Sequence, residues 1–145
     1  MSHPFFIESL ATRLDVEDVE FERIQEEIYR VQAGLAGEEK LHYTLSDYQF
    51  KQDVRIFYDF QCLNERGFSH QIDALVVTAC FVLIIEVKHI SGTLIYKPDV
   101  HEFSRLSHDG ISTNFTNPFD QAYRHQLFIE QYVSSLGMQL PVTSV

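Results

Sequence analysis

Residues 71–88 read QIDALVVTACFVLIIEVK and contain the most apolar run of the chain, Leu75 to Ile85. Branched aliphatic residues with so little polar interruption are typical of strands at the centre of a sheet. The stretch predicts two such strands, over Ile72 to Thr78 and over Phe81 to His89. The apolar run is about half as long as a membrane helix requires, so we expect a soluble protein that does not cross a membrane.

Three charged residues interrupt these two predicted strands. If Ala79 and Cys80 form a two-residue hairpin loop, the pairing places Asp73 opposite Glu86, with Cβ atoms about 5 Å apart. Glu86 and Lys88 are two residues apart on one strand and therefore share a face. The hairpin predicts a cluster of Asp73, Glu86 and Lys88.

Two carboxylates held this close repel each other unless a cation lies between them. Oxygen ligands favour magnesium, manganese or calcium over zinc. The ammonium group of Lys88 is suited to activate a water molecule and to stabilise negative charge on a phosphate. A purely structural role is the alternative, with Lys88 as an edge-strand lysine that pairs with Glu86, and Asp73 as an ordinary exposed residue.

Helical patterns lie on both sides of the hairpin. Apolar positions from Val16 to Leu35 predict one helix, and the glycines at 34 and 37 interrupt the pattern before a second helix over about 36–47. Pro118 to Ser135 predicts the last helix, with Asn117 as its N-cap and Gly137 as its C-cap.

The remaining segments are shorter. Alternating β-formers over 54–60 predict a strand, and the polar residues 61–70 predict a loop. Residues 93–96 predict a further strand, which is followed by an irregular polar stretch. The last residues, 140–145, look like the opening of another strand, which suggests a fragment of a longer protein. We expect one domain for a chain of 145 residues.

Acidic residues are concentrated at the start of the chain. The net charge is −10, and residues 1–30 carry eight acids and three arginines, half of that charge. We expect an acidic N-terminal helical extension over 1–30 that is a solvated face or a surface for a homodimer or another protein. An acidic surface repels phosphate backbones, so the chain alone should bind nucleic acid poorly without a cation or a basic neighbour.

Cysteine usage and the N-terminus bear on the compartment. Cys62 and Cys80 are not spaced for zinc, and we expect two buried free thiols in a reducing cytosol. No basic segment of the kind that begins a signal peptide is present, so we expect a cytoplasmic protein. None of the seven histidines shows ligand spacing; we expect His89, next to Lys88, to be structural.

Four ordered motifs carry a resemblance to a known family. Gln71-Ile-Asp73, then Ile85-Glu86-Val87-Lys88 and Ser91-Gly92, closely resemble the nuclease-related domain (NERD) family, a branch of the restriction-endonuclease-like superfamily with a D…ExK signature. Gly34-Leu-Ala-Gly37-Glu38 and Asn117-Pro118-x-x-Gln121 resemble its helix openings. The resemblance spans about Ala33 to Val145. Relatives usually have a glycine where this chain has Phe81. They usually also have a tryptophan after the second glycine motif, and we expect Phe103 to take its place.

The resemblance implies an α/β fold with a central mixed sheet flanked by helices, in the order αβββαβ, over 31–145 after the extension at 1–30. It implies Mg²⁺- or Mn²⁺-dependent hydrolysis of nucleic acid, DNA rather than RNA. Asp73, Glu86 and the carbonyl of Val87 would bind the metal, and Lys88 would be the catalytic lysine.

Two further residues follow from the same resemblance. Glu38 would point its carboxylate towards the metal, and Gln121 would contact substrate or Lys88 from the last helix. The alternative function is a non-catalytic interaction or regulatory module, with the same fold, in a larger bacterial protein.

Overall fold

The computed structural model describes residues 8–9, 11–13 and 19–145, without the side chain of Val19. Its elements are α1 (Val19–Asp47), β1 (Val54–Leu63), β2 (Ser69–Thr78), β3 (Val82–Ile85), β4 (Thr93–Lys97), a 3-10 turn (Pro98–Val100), β5 (Glu102–Leu106), β6 (Ser112–Phe115), α2 (Pro118–Ser135) and β7 (Val142–Ser144). Part of the predicted acidic extension therefore lies outside the described residues.

The main sheet has the strand order β1-β2-β3-β7. β1, β2 and β3 are antiparallel neighbours, and β7 is parallel to β3, so the sheet is mixed. The predicted α/β class is confirmed. Helix α2 covers the sheet through a core formed by Ile72, Leu75, Val82, Ile84, Ile129, Val133 and Val142.

The central hairpin has the predicted register. β2 and β3 pair from Val77 with Val82 to Ala74 with Ile85, which places Asp73 opposite Glu86. The loop needs no glycine, because the Thr78 hydroxyl oxygen accepts hydrogen bonds from the backbone amides of Cys80 and Phe81 at 3.1 and 2.9 Å.

Strand β3 ends at Ile85, earlier than the predicted strand over Phe81 to His89. Beyond Ile85, the amide of Glu86 donates to the carbonyl of Val145, and the amide of Val87 donates to the side chain of Asp73 rather than to a backbone carbonyl of β2. The side chain of Asp73 thus takes the place of a ladder partner, and regular pairing stops.

A single helix replaces the two predicted before residue 50. Helix α1 runs without a break through Gly34 and Gly37, so the predicted interruption was wrong, and the predicted boundary after residue 30 falls inside this helix. A Cβ atom at Gly37 would lie 3.0 Å from Cγ1 of Val87 and 3.3 Å from Cβ of His89. Gly37 therefore allows α1 to approach the chain just after β3.

Half of the predicted loop over 61–70 is strand. β1 continues to Leu63, and a tight turn leads to β2 at Ser69. In this turn the side-chain oxygen of Asn64 accepts from the amides of Arg66 and Phe68, and Gly67 has a φ of 78°. Side-chain capping of this kind lets a polar segment turn sharply.

A second sheet, β4-β5-β6, lies between β3 and α2 in the chain. The strand over 93–96 was predicted, whereas β5 and β6 were predicted to be irregular, which was wrong. Among the three strands only Phe103 and Ser104 are buried. Strands that bury so little lack the apolar alternation by which a strand is recognised.

Helix α2 has the predicted bounds and N-cap, whereas its C-cap is Leu136 rather than the predicted Gly137. The side chain of Asn117 accepts a hydrogen bond from the amide of Phe119, and Gly137, one residue beyond the C-cap Leu136, has a φ of 73°. Cys62 and Cys80 are free as predicted, but neither is buried: Cys62 is half-buried and Cys80 is exposed in the hairpin loop. Neither described helix combines the length and apolar character needed to cross a membrane.

Candidate active site

The site is built around the point where β3 stops pairing with β2. Oδ2 of Asp73 accepts a hydrogen bond from the backbone amide of Val87 at 2.6 Å. This bond ties the Asp73 carboxylate to the segment that carries Glu86 and Lys88. The local fold thus keeps together the acid of one strand and the acid and base of the next.

Glu86 is buried although it carries an ionisable group. Its side chain is 3% exposed, and Oε2 accepts a hydrogen bond from Nε2 of Gln121 at 3.0 Å. Burial first, and the charge of Asp73 second, raise the pKa of Glu86 to about 7, while Lys88 and Arg124 act in the opposite direction. Glu86 therefore gains from any cation that approaches its carboxylate.

The other predicted residues line one cleft of about 480 Å³. Glu38 reaches it from α1, Asp73 from β2, Val87 and Lys88 from the segment after β3, and Gln121 from α2. Glu86 lies behind Gln121 and is linked to the cleft through their hydrogen bond. The structure thus brings the predicted site residues to one place from four parts of the chain.

Glu38 and Lys88 are both exposed. The pKa of Glu38 is raised by partial burial and then by the charges of Asp73 and Asp59. Asp73 therefore raises the pKa of two separate carboxyl groups, Glu38 and Glu86.

Asp59 is a neighbour of the site that the sequence did not reveal. It lies between Tyr58, paired with Ala74, and Phe60, paired with Ile72, and so sits opposite Asp73. Its φ of 47° is unusual for a residue other than glycine. Its carboxylate accepts hydrogen bonds from the side chains of Gln61 and Gln71.

Two buried histidines behind the site were also missed. Nε2 of His125 lies 3.5 Å from Oε1 of Glu86, and Nδ1 of His125 lies 3.2 Å from Nδ1 of His70. Burial first, and His70 second, lower the pKa of His125 to about 4. His125 follows Gln121 by one helical turn, and this spacing was the available signal that both face the same side.

Carboxylate oxygens are the candidate metal donors at this site. Within the described residues, no group of three or more His, Cys, Asp or Glu side chains is arranged to hold a metal ion. Mg²⁺ commonly uses one or two carboxylates and keeps several waters. Oε1 of Glu86 is buried 3.5 Å from Nε2 of His125 and has no hydrogen-bond partner within the described residues.

A mixed sheet between helices, with carboxylates and a lysine where the central hairpin opens, defines a nuclease-like α/β domain. The family model described as the nuclease-related domain matches residues 33–145, and the chain belongs to this family. The match confirms the resemblance over Ala33 to Val145 and supports a nuclease-related function. No curated protein and no solved structure matches the chain.

Proposed function

We propose that this domain is a nuclease that hydrolyses phosphodiester bonds of nucleic acid with Mg²⁺ or Mn²⁺, and that DNA is its preferred substrate. The observation that carries the proposal is the convergence of Glu38, Asp73 and Lys88 on one cleft, where Asp73 is held by the amide of Val87. Besides burial, the charge of Asp73 raises the pKa of both Glu38 and Glu86. Carboxylates that disfavour one another's ionisation are stabilised by a shared divalent cation.

Asp73, Glu86 and the carbonyl oxygen of Val87 are the proposed ligands. The amide of Val87 occupies Oδ2 of Asp73 and leaves its second oxygen for the ion. The hydrogen bond from Gln121 holds Oε2 of Glu86 and leaves Oε1. When bound, the ion supplies Lewis-acid stabilisation of the charge that develops on the scissile phosphate.

Lys88 is the proposed catalytic cation among the protein's own groups. It is exposed, lines the cleft beside Asp73, and partly offsets the rise in the pKa of Glu86. A water oxygen attacks phosphorus while the bond to the ester oxygen breaks, and the ammonium of Lys88 stabilises the negative charge that builds up. Glu38 lines the same cleft and can accept the proton that the attacking water loses, while the leaving ester oxygen takes a proton from solvent.

The test is cleavage of single- and double-stranded DNA and RNA in Mg²⁺, Mn²⁺ or EDTA. We expect cleavage with either metal, none in EDTA, and a loss of about 100-fold or more in Lys88→Ala. Lys51→Ala, which removes an exposed lysine outside the cleft, should retain wild-type activity. Cleavage that survives EDTA, or Lys88→Ala with full activity, would overturn the proposal.

A non-catalytic interaction module, with α1 as its binding surface, is the second candidate. Among the described residues of this helix, only Gly37 is buried. Tyr29, Leu35 and Tyr43 are exposed on it among many acidic residues. An exposed helix of this kind offers contacts for a second copy of the chain or another protein.

For either function we propose a cytoplasmic location, since Cys62 and Cys80 are free thiols.

A further inference from the structure

A second cavity of about 600 Å³ adjoins the active-site cleft. It lies between the first half of α1 and the small sheet. The two cavities share Arg30, His89, Ile90 and Phe115 among their lining residues. A chain-like molecule that occupies the active-site cleft can therefore continue into the second cavity.

One wall of the second cavity is a face of the small sheet. Arg105 pairs with Thr113 and Phe103 pairs with Phe115 across β5 and β6. Cross-strand partners, and residues two apart on a strand, lie on the same face. Phe103 is buried and anchors this face, while Arg105, Thr113 and Phe115 line the cavity.

The cavity departs from the acidic character of the chain. Its charged lining residues are Arg30, Arg105 and Glu26, whereas the whole chain carries a net charge of −10. Arg30 forms exposed ion pairs with Glu26 and Glu27 at 3.8 and 3.4 Å, which a phosphate contact would replace. Nε of Arg105 is buried and has no hydrogen-bond partner within the described residues. A buried donor without a partner is costly, and a phosphate oxygen would satisfy it.

Aromatic rings lie beside these cations. The guanidinium carbon of Arg105 is 5.5 Å from the centre of the Phe115 ring. Phe115 is 37% exposed, and Tyr29, on α1 at the opposite wall, is 63% exposed. Exposed aromatic rings next to arginine are the elements with which proteins stack the bases of unpaired strands and hold their phosphates.

We propose that the second cavity binds single-stranded nucleic acid that leads into the active-site cleft. Arg105 and Arg30 hold phosphates, and Tyr29 and Phe115 stack on bases. A duplex cannot use these rings, because its bases are already paired and stacked inside the helix. The inference rests on the proposed function and extends it by assigning a strand preference.

The test measures binding of a fluorescein-labelled oligothymidylate of about twelve nucleotides, and of a duplex of equal length, by fluorescence anisotropy in EDTA. The variants form matched pairs. Arg105→Gln is compared with Lys97→Gln, which removes an equal charge from the same sheet outside the cavity. Tyr29→Leu is compared with Tyr48→Leu, which removes an exposed tyrosine just beyond the same helix.

We expect single-strand binding to weaken about tenfold in Arg105→Gln and in Tyr29→Leu, and less than twofold in the two controls. The logarithm of the binding constant falls linearly with the logarithm of the salt concentration, and Arg105→Gln should make this slope shallower by about 0.7 for each phosphate contact that is lost. Tyr29 is exposed, so its replacement tests the proposal even if Arg105→Gln does not fold.

Two results would overturn the inference. One is equal weakening by variant and control within a pair; the other is duplex binding that depends on Arg105 and Tyr29 as strongly as single-strand binding does. Because cleavage is blocked in EDTA, the proposed nuclease activity is judged separately. If wild type binds single strands through these residues but never cleaves, the proposed nuclease function is wrong and the binding site stands. If wild type cleaves but neither variant weakens binding, the nuclease function stands and the binding site is wrong.

Discussion

Nε2 of His125 lies 3.5 Å from Oε1 of Glu86, and each of these side chains is only 3% exposed. Burial acts on the two groups in opposite directions, raising the pKa of Glu86 to about 7 and lowering that of His125 to about 4. Between these values both groups are neutral, and the two atoms form no hydrogen bond. The buried pair therefore avoids charge where a charge would cost most.

Replacement of Glu86 should change how stability depends on pH. Because the folded pKa of Glu86 is raised, its contribution is fully present below pH about 4.5 and is lost as pH rises through about 7. Glutamine does not titrate, so as pH rises from 4.5 to 8 the unfolding free energy of Glu86→Gln should increase by about 2–3 kcal/mol relative to that of wild type. Urea denaturation in EDTA measures this, with the exposed Glu39→Gln as control. Parallel curves for Glu86→Gln and wild type would contradict it.

Replacement of His125 should have the opposite slope. The folded pKa of His125 is lowered, so its contribution is present above pH about 6.5 and is lost as pH falls to about 4. Glutamine at position 125 does not titrate. The difference in unfolding free energy by which wild type exceeds His125→Gln should therefore shrink as the solution is acidified. The same urea series measures this, and the exposed His108→Gln should track wild type. A gap that widens at low pH would show that His125 does not resist protonation.

Divalent metal should stabilise the folded domain. Because a cation relieves repulsion around Asp73, Mn²⁺ at tenfold excess over its Kd should raise Tm by about 5 °C. Asp73→Asn should abolish the rise, while Asp53→Asn, an exposed acid outside the cleft, should retain it. Differential scanning calorimetry with and without Mn²⁺ gives the answer. An equal shift in wild type and Asp73→Asn would place the metal elsewhere.

The two glycines of α1 should respond differently to alanine. A Cβ atom at Gly34 meets nothing within 4 Å, so Gly34→Ala should stabilise the domain by about 0.5–1 kcal/mol through helix propensity. At Gly37 the new methyl group would press on Val87 and His89, which should cancel or reverse that gain. Chemical denaturation of both variants compares them directly, and an equal gain at both positions would show that α1 does not depend on close approach at Gly37.

If the domain is a non-catalytic interaction module that binds a second copy of itself through α1, substitutions on this helix should change its oligomeric state. If a second copy covers α1, wild type should scatter light as a dimer, and Leu35→Lys combined with Tyr43→Lys should scatter as a monomer. Tyr48→Lys, exposed just beyond the helix, serves as the control. A monomeric wild type at all concentrations would exclude self-association through this helix.

The sequence by itself determined the features that depend on neighbouring residues. The hairpin register followed from the loop at Ala79-Cys80, and the bounds of α2 followed from Asn117, Pro118 and Gly137. In each case the bonds that fix the element join residues a few positions apart, so the pattern of types carries the information. The candidate site was predictable to the extent that it lies on these two elements.

Tertiary structure alone decided the rest. Gly37 reads locally as a helix breaker, yet it lies inside a continuous helix, where the absence of a Cβ atom lets α1 approach Val87. β5 and β6 bury few side chains, so their pairing is visible only once the strands meet. The contact of His125 with Glu86, and of Arg105 with Phe115, joins separate elements. Burial and proximity, which set the charge states and the shape of the site, arise only when distant segments pack together.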